Sequence, residues 1–488
     1  MTSRLSQSTG YSRRDFLAAS ALAPLKPQAT ADRKFYAGAA TVNITPTLGA
    51  PIAGNMTYAP AAEVHDELHV KSLVLDNDRM RLAFAVVDSC MVPGDIIARA
   101  KRLIQDHTGI PPANVLISAT HTHSAPAATH LFQSEPDPKY VEWLTTRIAD
   151  SVRIAVQRLE PARIGWGVGR EERLLFCRRY FMKPGSIPPN PFGNTTERVQ
   201  MNPPAGSPDI LGPEGPVDPD VGIIAVESRQ GRPICVIGNY ALHYVGGVGK
   251  AHISADYFAY WADSMARLAG IQPNSGFPPF VAILTNACSG HDVSLDHRAA
   301  QKASPPYVRM ESVAGVLAAE SYRTWRGIHF QDWAELGASQ DELEFAVRLP
   351  SREDVAEARK ILAAKGWSAG SNAQLTDRRD IYARETIYLA EYPKSIQTIV
   401  QALRIGSMGI ATFPGEAFAE LGLEVKAKSP FKPAMLIELA NDYRGYIPTP
   451  EAHGNGGYET WRAKSSYLEV MAAPKMVASA VRQLAKLA

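Results

Sequence analysis

Between Phe35 and Leu284, short β-branched apolar runs alternate with segments of helical periodicity, and that alternation restricts the fold more than any other feature of the chain. The runs Phe35 to Ile44, Leu68 to Leu75 and Arg81 to Val87 read as strands, the last two joined into a hairpin by the turn residues Asp76-Asn77-Asp78-Arg79. From Asp95 to His107 the apolar residues Ile96, Ile97, Ala100 and Leu103 recur at helical spacing, Thr108-Gly109 ends the helix, and Val115-Leu116-Ile117 supplies the next strand. The pattern continues with a helix at Tyr140 to Arg158, a strand at Ile164 to Val168, strands at Ile223 to Val226 and Ile234 to Ala241, a helix at Tyr257 to Leu268 and a strand at Phe280 to Leu284. The expected class is α/β, with mixed β-sheets flanked by α-helices in a single large catalytic domain. Met182 to Pro219 is rich in Pro, Gly and Asn without apolar periodicity and reads as a long surface loop or lid. Beyond it, Ser351-Arg352-Glu353-Asp354 caps a helix running to Ala364, Arg378 to Tyr392 forms another, and a helix near Leu468 to Leu487 is the last.

Composition narrows the function classes. Of 488 residues, 45% are hydrophobic and 20% charged, which suits a globular protein and excludes a disordered or collagen-like chain. The 51 Lys and Arg nearly balance the 49 Asp and Glu, so nucleic acid is not an expected partner. Cys90, Cys177, Cys235 and Cys288 are too widely spaced for a disulfide framework or a zinc knuckle, and read as buried free thiols. At the N-terminus, Ser12-Arg13-Arg14-Asp15-Phe16-Leu17 precedes a short apolar stretch and the small residues around Ala31. This has the form of a twin-arginine export signal over residues 1–31, leaving 32–488 as the catalytic domain and placing the exported protein in the periplasm or outside the cell. No later run approaches the roughly 18 apolar residues of a membrane span, so any membrane contact is expected to be peripheral and made through the substrate.

Four short segments carry the chemistry. Thr120-His121-Thr122-His123-Ser124 follows directly on an apolar strand, and strand ends are where ligand sites collect in α/β folds. Such a histidine pair can offer a metal ligand from one ring and a proton-transfer group from the other, or form a polar turn. His243, in Leu242-His243-Tyr244 at a second strand end, is by itself as consistent with a hydrogen-bonded core histidine as with a ligand. Glu416 follows Phe413-Pro414-Gly415 where a helix begins, and alone would be a first-turn acid favoured by the helix dipole. The fourth segment, Asn441-Asp442-Tyr443-Arg444-Gly445-Tyr446-Ile447-Pro448-Thr449, is a loop with two tyrosines, followed by Gly457-Tyr458-Glu459.

Taken in order, from Ala37-Gly38-Ala39-Ala40-Thr41-Val42-Asn43-Ile44-Thr45-Pro46 through the Thr-His-Thr-His-Ser, Pro-Gly-Glu and Gly-Tyr-Ile-Pro-Thr segments, the chain resembles the catalytic domain of neutral/alkaline ceramidases. The resemblance implies a Zn2+ ion held by His121, His243, Glu416 and Tyr446. It also implies a proton-transfer role for His123, a substrate-facing arginine at Arg178 or its neighbour Arg179, and attack of a zinc-activated water on an N-acyl amide of a ceramide-like lipid or related small molecule. The family's functional serine is matched by Thr285 in Thr285-Asn286-Ala287-Cys288-Ser289, or by Ser289 with a shifted loop. Three further readings stand beside this one: the same zinc fold acting on a sugar or cell-wall ester or amide, a non-catalytic metal-dependent binding module, and a Cys288/His291 nucleophile pair that no nucleophile-elbow motif supports. Asp256 reads as a helix cap and Asp88 as a buried acceptor.

Overall fold

Runs such as Leu73-Val74-Leu75 and Leu82-Ala83-Phe84 are apolar toward both sides of their strand, the pattern of strands covered on two faces. The computed structural model, which describes residues 33–272, 276–368 and 375–488, shows what covers them. Strands β1 (Tyr36–Asn43), β2 (His69–Asp76), β3 (Arg81–Val87), β4 (Val115–Ala119), β5 (Glu160–Arg170), β6 (Asp220–Ser228), β7 (Pro233–Tyr240) and β8 (Val281–Asn286) form one mixed sheet in the order β8-β7-β6-β5-β1-β2-β3-β4. The β3/β4 and β7/β8 pairs are parallel and the others antiparallel. A second sheet, in the order β9-β10-β11-β12, comprises β9 (Leu336–Ala346), β10 (Ser395–Ile405), β11 (Met408–Thr412) and β12 (Ala434–Ile437), with β11 and β12 parallel.

The two sheets face each other across a core that joins Leu73, Phe84, Ile224 and Ile283 of the first to Leu403, Ile410 and Ile437 of the second. On the outer face of the first sheet, α1 (Gly94–Thr108) and α2 (Pro138–Gln157) pack Ile97 and Ile148 near Val74 and Val115. Helices α3 (Tyr257–Leu268) and α4 (Val308–Arg326) cover the same face at Ile223 and Leu284 with Trp261 and Leu317. After α5 (Arg352–Ala363) and α6 (Arg378–Leu389), α7 (Ala419–Lys428) and α8 (Ala472–Leu487) cover the outer face of the second sheet, Leu421 and Met476 meeting Val400 and Leu436. Lys34–Ala488 is thus one compact unit of four layers: helices, sheet, sheet, helices. The α/β class and single domain expected from the alternation are those observed, while residues 1–31, which carry the twin-arginine motif, lie outside the described residues. All four cysteines are buried free thiols, and among the described residues no helix is long and apolar enough to cross a membrane.

Two local expectations need correction, and one strand left no signal in the sequence. The Met182 to Pro219 stretch is not loop throughout, because Val199–Met201 and Ile210–Pro213 pair on either side of Arg179–Met182 in a small sheet; strands of three and four residues leave too short an alternation to read. The second sheet was not legible at β9, whose sequence Ser339-Gln340-Asp341-Glu342 is polar and which is a strand because it pairs with β10 over its full length. The last helix starts at Ala472 rather than near Leu468, since Tyr467 and Leu468 run extended against Val347 and Arg348. The cap at Ser351 does form, with Ser351 Oγ accepting from Asp354 N at 3.1 Å and Asp354 Oδ2 accepting from Ser351 N at 3.0 Å.

One segment fixes where the strand ends meet. After β12, the Glu438 amide donates to Asn286 O at the end of β8, the Ala119 amide of β4 donates to Leu439 O, the Ala440 amide donates to Phe413 O after β11, and the Asn441 amide donates to Ile117 O. The C-terminal ends of both sheets are thereby stitched together, so side chains following β4, β7 and β11 converge on one place.

Candidate metal centre

His121 stands two residues after β4, His243 three residues after β7 and Glu416 four residues after β11. All three side chains are buried, and their ligand atoms form one group with metal-binding spacing. His121 Nε2 lies 3.1 Å from His243 Nε2, 3.2 Å from His123 Nε2 and 3.3 Å from Glu416 Oε2, and the His243 Nε2 to Glu416 Oε2 distance is 3.7 Å. His121 itself is held at a φ of +67°, a left-handed backbone that a non-glycine residue adopts at a cost of about 1–3 kcal/mol.

The partners of the outer ring nitrogens decide what the inner ones can do. His121 Nδ1 sits 2.6 Å from the Cys90 carbonyl and His243 Nδ1 3.1 Å from the Ser289 carbonyl. A carbonyl can only accept, so each Nδ1 carries the proton and each Nε2 presents a lone pair inward. Glu416 adds a third: its Oε1 accepts the Tyr443 hydroxyl at 2.9 Å, but its Oε2 is buried with no hydrogen-bond partner. Three lone pairs converging in a dry site repel one another unless a cation lies among them, and their spacing is close to the roughly 3.3 Å separating donors that sit about 2.0–2.1 Å from a shared tetrahedral ion. The residues present therefore fit a metal ion. Without one, burial opposes a charge on His121 but the Glu416 carboxylate outweighs it and raises the imidazole well above its ordinary value.

Around this cluster the remaining expected residues divide. His123 is beside His121, and burial followed by the charges of His121 and Arg178 pushes it well below its ordinary value, so it stays neutral. Arg178, not Arg179, adjoins the cluster: its Nη2 donates to the Tyr446 hydroxyl at 3.1 Å and to Gly290 O at 2.8 Å, and its Nε to Glu459 at 2.9 Å. Arg179 points away to Glu214, Glu459 and the Gly456 carbonyl. Burial would raise the Glu416 carboxylate, but the charge of His121, with smaller help from Tyr446 and Arg178, holds it below the ordinary range. Thr285 is not brought to the cluster. It lies within β8, where its Oγ1 donates to Gly238 O and accepts from Asn239 Nδ2, both at 3.0 Å, so the sheet occupies the hydroxyl. Ser289 donates to Glu438, a carboxyl that burial raises to about 8, and Glu438 Oε2 in turn accepts the Ala417 amide next to Glu416. Cys288 is buried with its thiol pushed well above the ordinary value by burial, and His291 is held at about 4 by burial while bonding to Pro216 O, so this pair supplies no thiolate and no base.

Sequence reasoning did not single out Tyr443, Tyr244 or Glu459 for a role. Tyr244 stacks on His123 with centroids 3.7 Å apart, and Glu459 bridges the two buried arginines. Position next to His243, or two residues beyond a glycine pair, is not a signal that could have found them.

The fold, in contrast to the sequence, has clear counterparts among known proteins. No protein-family model matches the chain. Neutral ceramidase B of Dictyostelium discoideum is 24% identical over 287 residues, 56% of this chain and 37% of that protein, so the match spans little more than a third of that relative's length. Among solved structures, neutral ceramidase from Pseudomonas aeruginosa matches with a TM-score of 0.65 at 17% identity, covering 93% of this chain and 75% of that one. A ceramidase complexed with C2 matches at 0.68 and 18% identity with the same coverage. The chain thus shares the fold of these neutral ceramidase structures over most of its length and is similar in sequence to one neutral ceramidase over part of it.

Proposed function

We propose that the chain is an exported zinc-dependent amidohydrolase that cleaves the N-acyl amide of a ceramide-like lipid or a related N-acyl compound. The observation that carries this reading is the convergence of His121 Nε2, His243 Nε2 and the unpartnered Glu416 Oε2, with neutral His123 beside them. Zinc held by His121, His243 and Glu416, with Tyr446 alongside, would supply the Lewis acidity that acidifies water and stabilises negative charge on an acyl oxygen. His123, neutral and with Nε2 facing the cluster, accepts a proton of the attacking water and passes it to the departing amine nitrogen as the C–N bond breaks, leaving a carboxylic acid, whose own proton is then free to pass to the amine. Arg178 is kept charged in the interior by Glu459 and aims an N–H at the Tyr446 hydroxyl, which makes it the fixed positive charge beside the reacting carbonyl.

The test is elemental analysis of the purified protein together with hydrolysis of a fluorescent N-acylsphingosine and of short-chain N-acyl amides. About one zinc per chain, with activity lost to a chelator and restored by zinc, is the expected result. Zinc-loaded protein that cleaves no N-acyl amide overturns the reading. Export rests on Ser12-Arg13-Arg14-Asp15-Phe16-Leu17. Replacing Arg13 and Arg14 together by Lys is expected to hold the protein in the cytoplasm, and undiminished export of that variant would refute the twin-arginine route.

A further inference from the structure

One ring of the site lacks the anchor that its neighbours have. His123 Nδ1 is buried without a hydrogen-bond partner, whereas His121 and His243 are each tied through Nδ1 to a carbonyl. Packing holds His123 instead. The Tyr244 ring lies on its face at a centroid distance of 3.7 Å and an interplanar angle of 18°, and the Gly54 backbone comes so near that a Cβ there would meet the imidazole Cγ at 2.5 Å. Tyr244 opens the segment Tyr244-Val245-Gly246-Gly247-Val248-Gly249, in which Gly246 and Gly247 have φ of +72° and +80°. A stretch this rich in glycine has little intrinsic preference for one path.

Asp256 selects the path. Its Oδ1 accepts the Val245 amide and its Oδ2 the Gly246 amide, each at 2.9 Å, while Oδ1 also accepts the Tyr257 amide at 2.6 Å. A helix cap ordinarily accepts an amide of the helix's first turn from a residue in extended backbone, and of these three amides only that of Tyr257 belongs to the helix. Asp256 is instead fully buried with φ +59° and ψ −154°, a strained region populated almost only by glycine. The strained backbone is secured by Ser254, whose Oγ accepts the Asp256 amide at 3.0 Å and donates to Asp66 at 2.6 Å. The cap expected from the sequence is thus present, but two of the three amides it binds belong to the glycine-rich segment.

We propose that Asp256 is a positioning residue that clamps the Val245 and Gly246 amides and so seats the Tyr244 ring against His123, fixing the one site imidazole whose Nδ1 is not tied to a carbonyl. The proposal rests on the hydrolase reading for its catalytic consequence, but its structural core can be measured without turnover. Three variants, Tyr244→Phe, Tyr244→Leu and Asp256→Asn, are compared for kcat, KM and zinc content. In parallel, protein labelled with 15N-histidine reports the His123 ring by NMR, its signal assigned through His123→Gln. Tyr244→Phe keeps the stacked face and is expected to stay within about threefold of wild type. Tyr244→Leu and Asp256→Asn are expected to lower kcat by about 30- to 100-fold with KM and zinc content little changed, as a misplaced catalytic group does, and to broaden or split the His123 signal. An unchanged kcat and an unchanged His123 signal in Tyr244→Leu would overturn the proposal, as would a Tyr244→Phe variant as impaired as Tyr244→Leu, which would assign the role to the phenol oxygen. If Asp256→Asn does not fold, the two Tyr244 variants still decide the stacking claim. If wild type cleaves no N-acyl amide, the functional reading fails, while the His123 signal alone supports or refutes the positioning.

Discussion

His121→Ala is expected to abolish metal retention and to lower kcat/KM by about three orders of magnitude or more, because its Nε2 is the donor around which the others are arranged. Removing it leaves His243 and Glu416 with one ligand too few for a catalytic zinc site, which ordinarily keeps three protein donors. The contrast that makes the result diagnostic is His123→Ala, expected to keep the metal and to lose about 10²- to 10⁴-fold in kcat, the usual contribution of a proton-transfer group. Elemental analysis and steady-state kinetics on the two proteins side by side check both statements. Full metal occupancy in His121→Ala would mean that the donors identified here are not the ones that hold the ion.

The second large effect concerns stability. Glu459 is fully buried and its two oxygens bind Arg178 Nε at 2.9 Å and Arg179 Nη1 at 2.6 Å. Burial alone would raise its pKa, yet the two guanidinium groups, Arg179 foremost, hold it below the ordinary carboxylate value. Glu459→Ala takes from Arg178 its paired carboxylate and leaves Arg179 paired with Glu214 alone, and breaking a buried ion pair in this way costs about 3–5 kcal/mol. Denaturant unfolding of the variant is expected to show that loss together with a drop in kcat, since Arg178 loses the contact that aims it at Tyr446. Because the folded carboxyl titrates lower than the unfolded one, the contribution is complete above the ordinary glutamate range and disappears as the pH falls through the lowered folded value. Wild type and Glu459→Ala should therefore converge in stability toward acid pH. A loss below about 1 kcal/mol at neutral pH would show that the arginines find other acceptors, in keeping with the Glu214 carboxylate and the Gly456 and Gly290 carbonyls already within their reach.

How much of the site could be read in advance depended on the kind of residue. His121 and His123 stand out as a histidine pair directly after an apolar strand, whereas Glu416 and His243 alone read as a first-turn acid and a core histidine and are drawn into the site only by the family resemblance. Arg178 and Arg179 differ by one residue, and Arg178 lies at the bend between the short strands Phe176–Cys177 and Arg179–Met182, so only the fold decides which of them meets Tyr446. Thr285 and Ser289 illustrate the reverse. Both carry a hydroxyl at the right distance in sequence, but the hydrogen bonds of Thr285 are consumed inside the β7/β8 pair and those of Ser289 by Glu438.

What the sequence determined by itself was the local order: periodicity and turn residues specify which segments are strands and which are helices, and apolar runs on both sides of a strand require that it be covered twice. Only the tertiary structure decided that His121, His243 and Glu416, separated by 122 and 173 positions, share one point in space. That convergence depends on Glu438 to Asn441 crossing between the ends of the two sheets, and on the long-range pairing that makes a polar segment such as β9 a strand. Neither leaves a local pattern, because the energy that selects them lies in contacts between residues far apart in the chain.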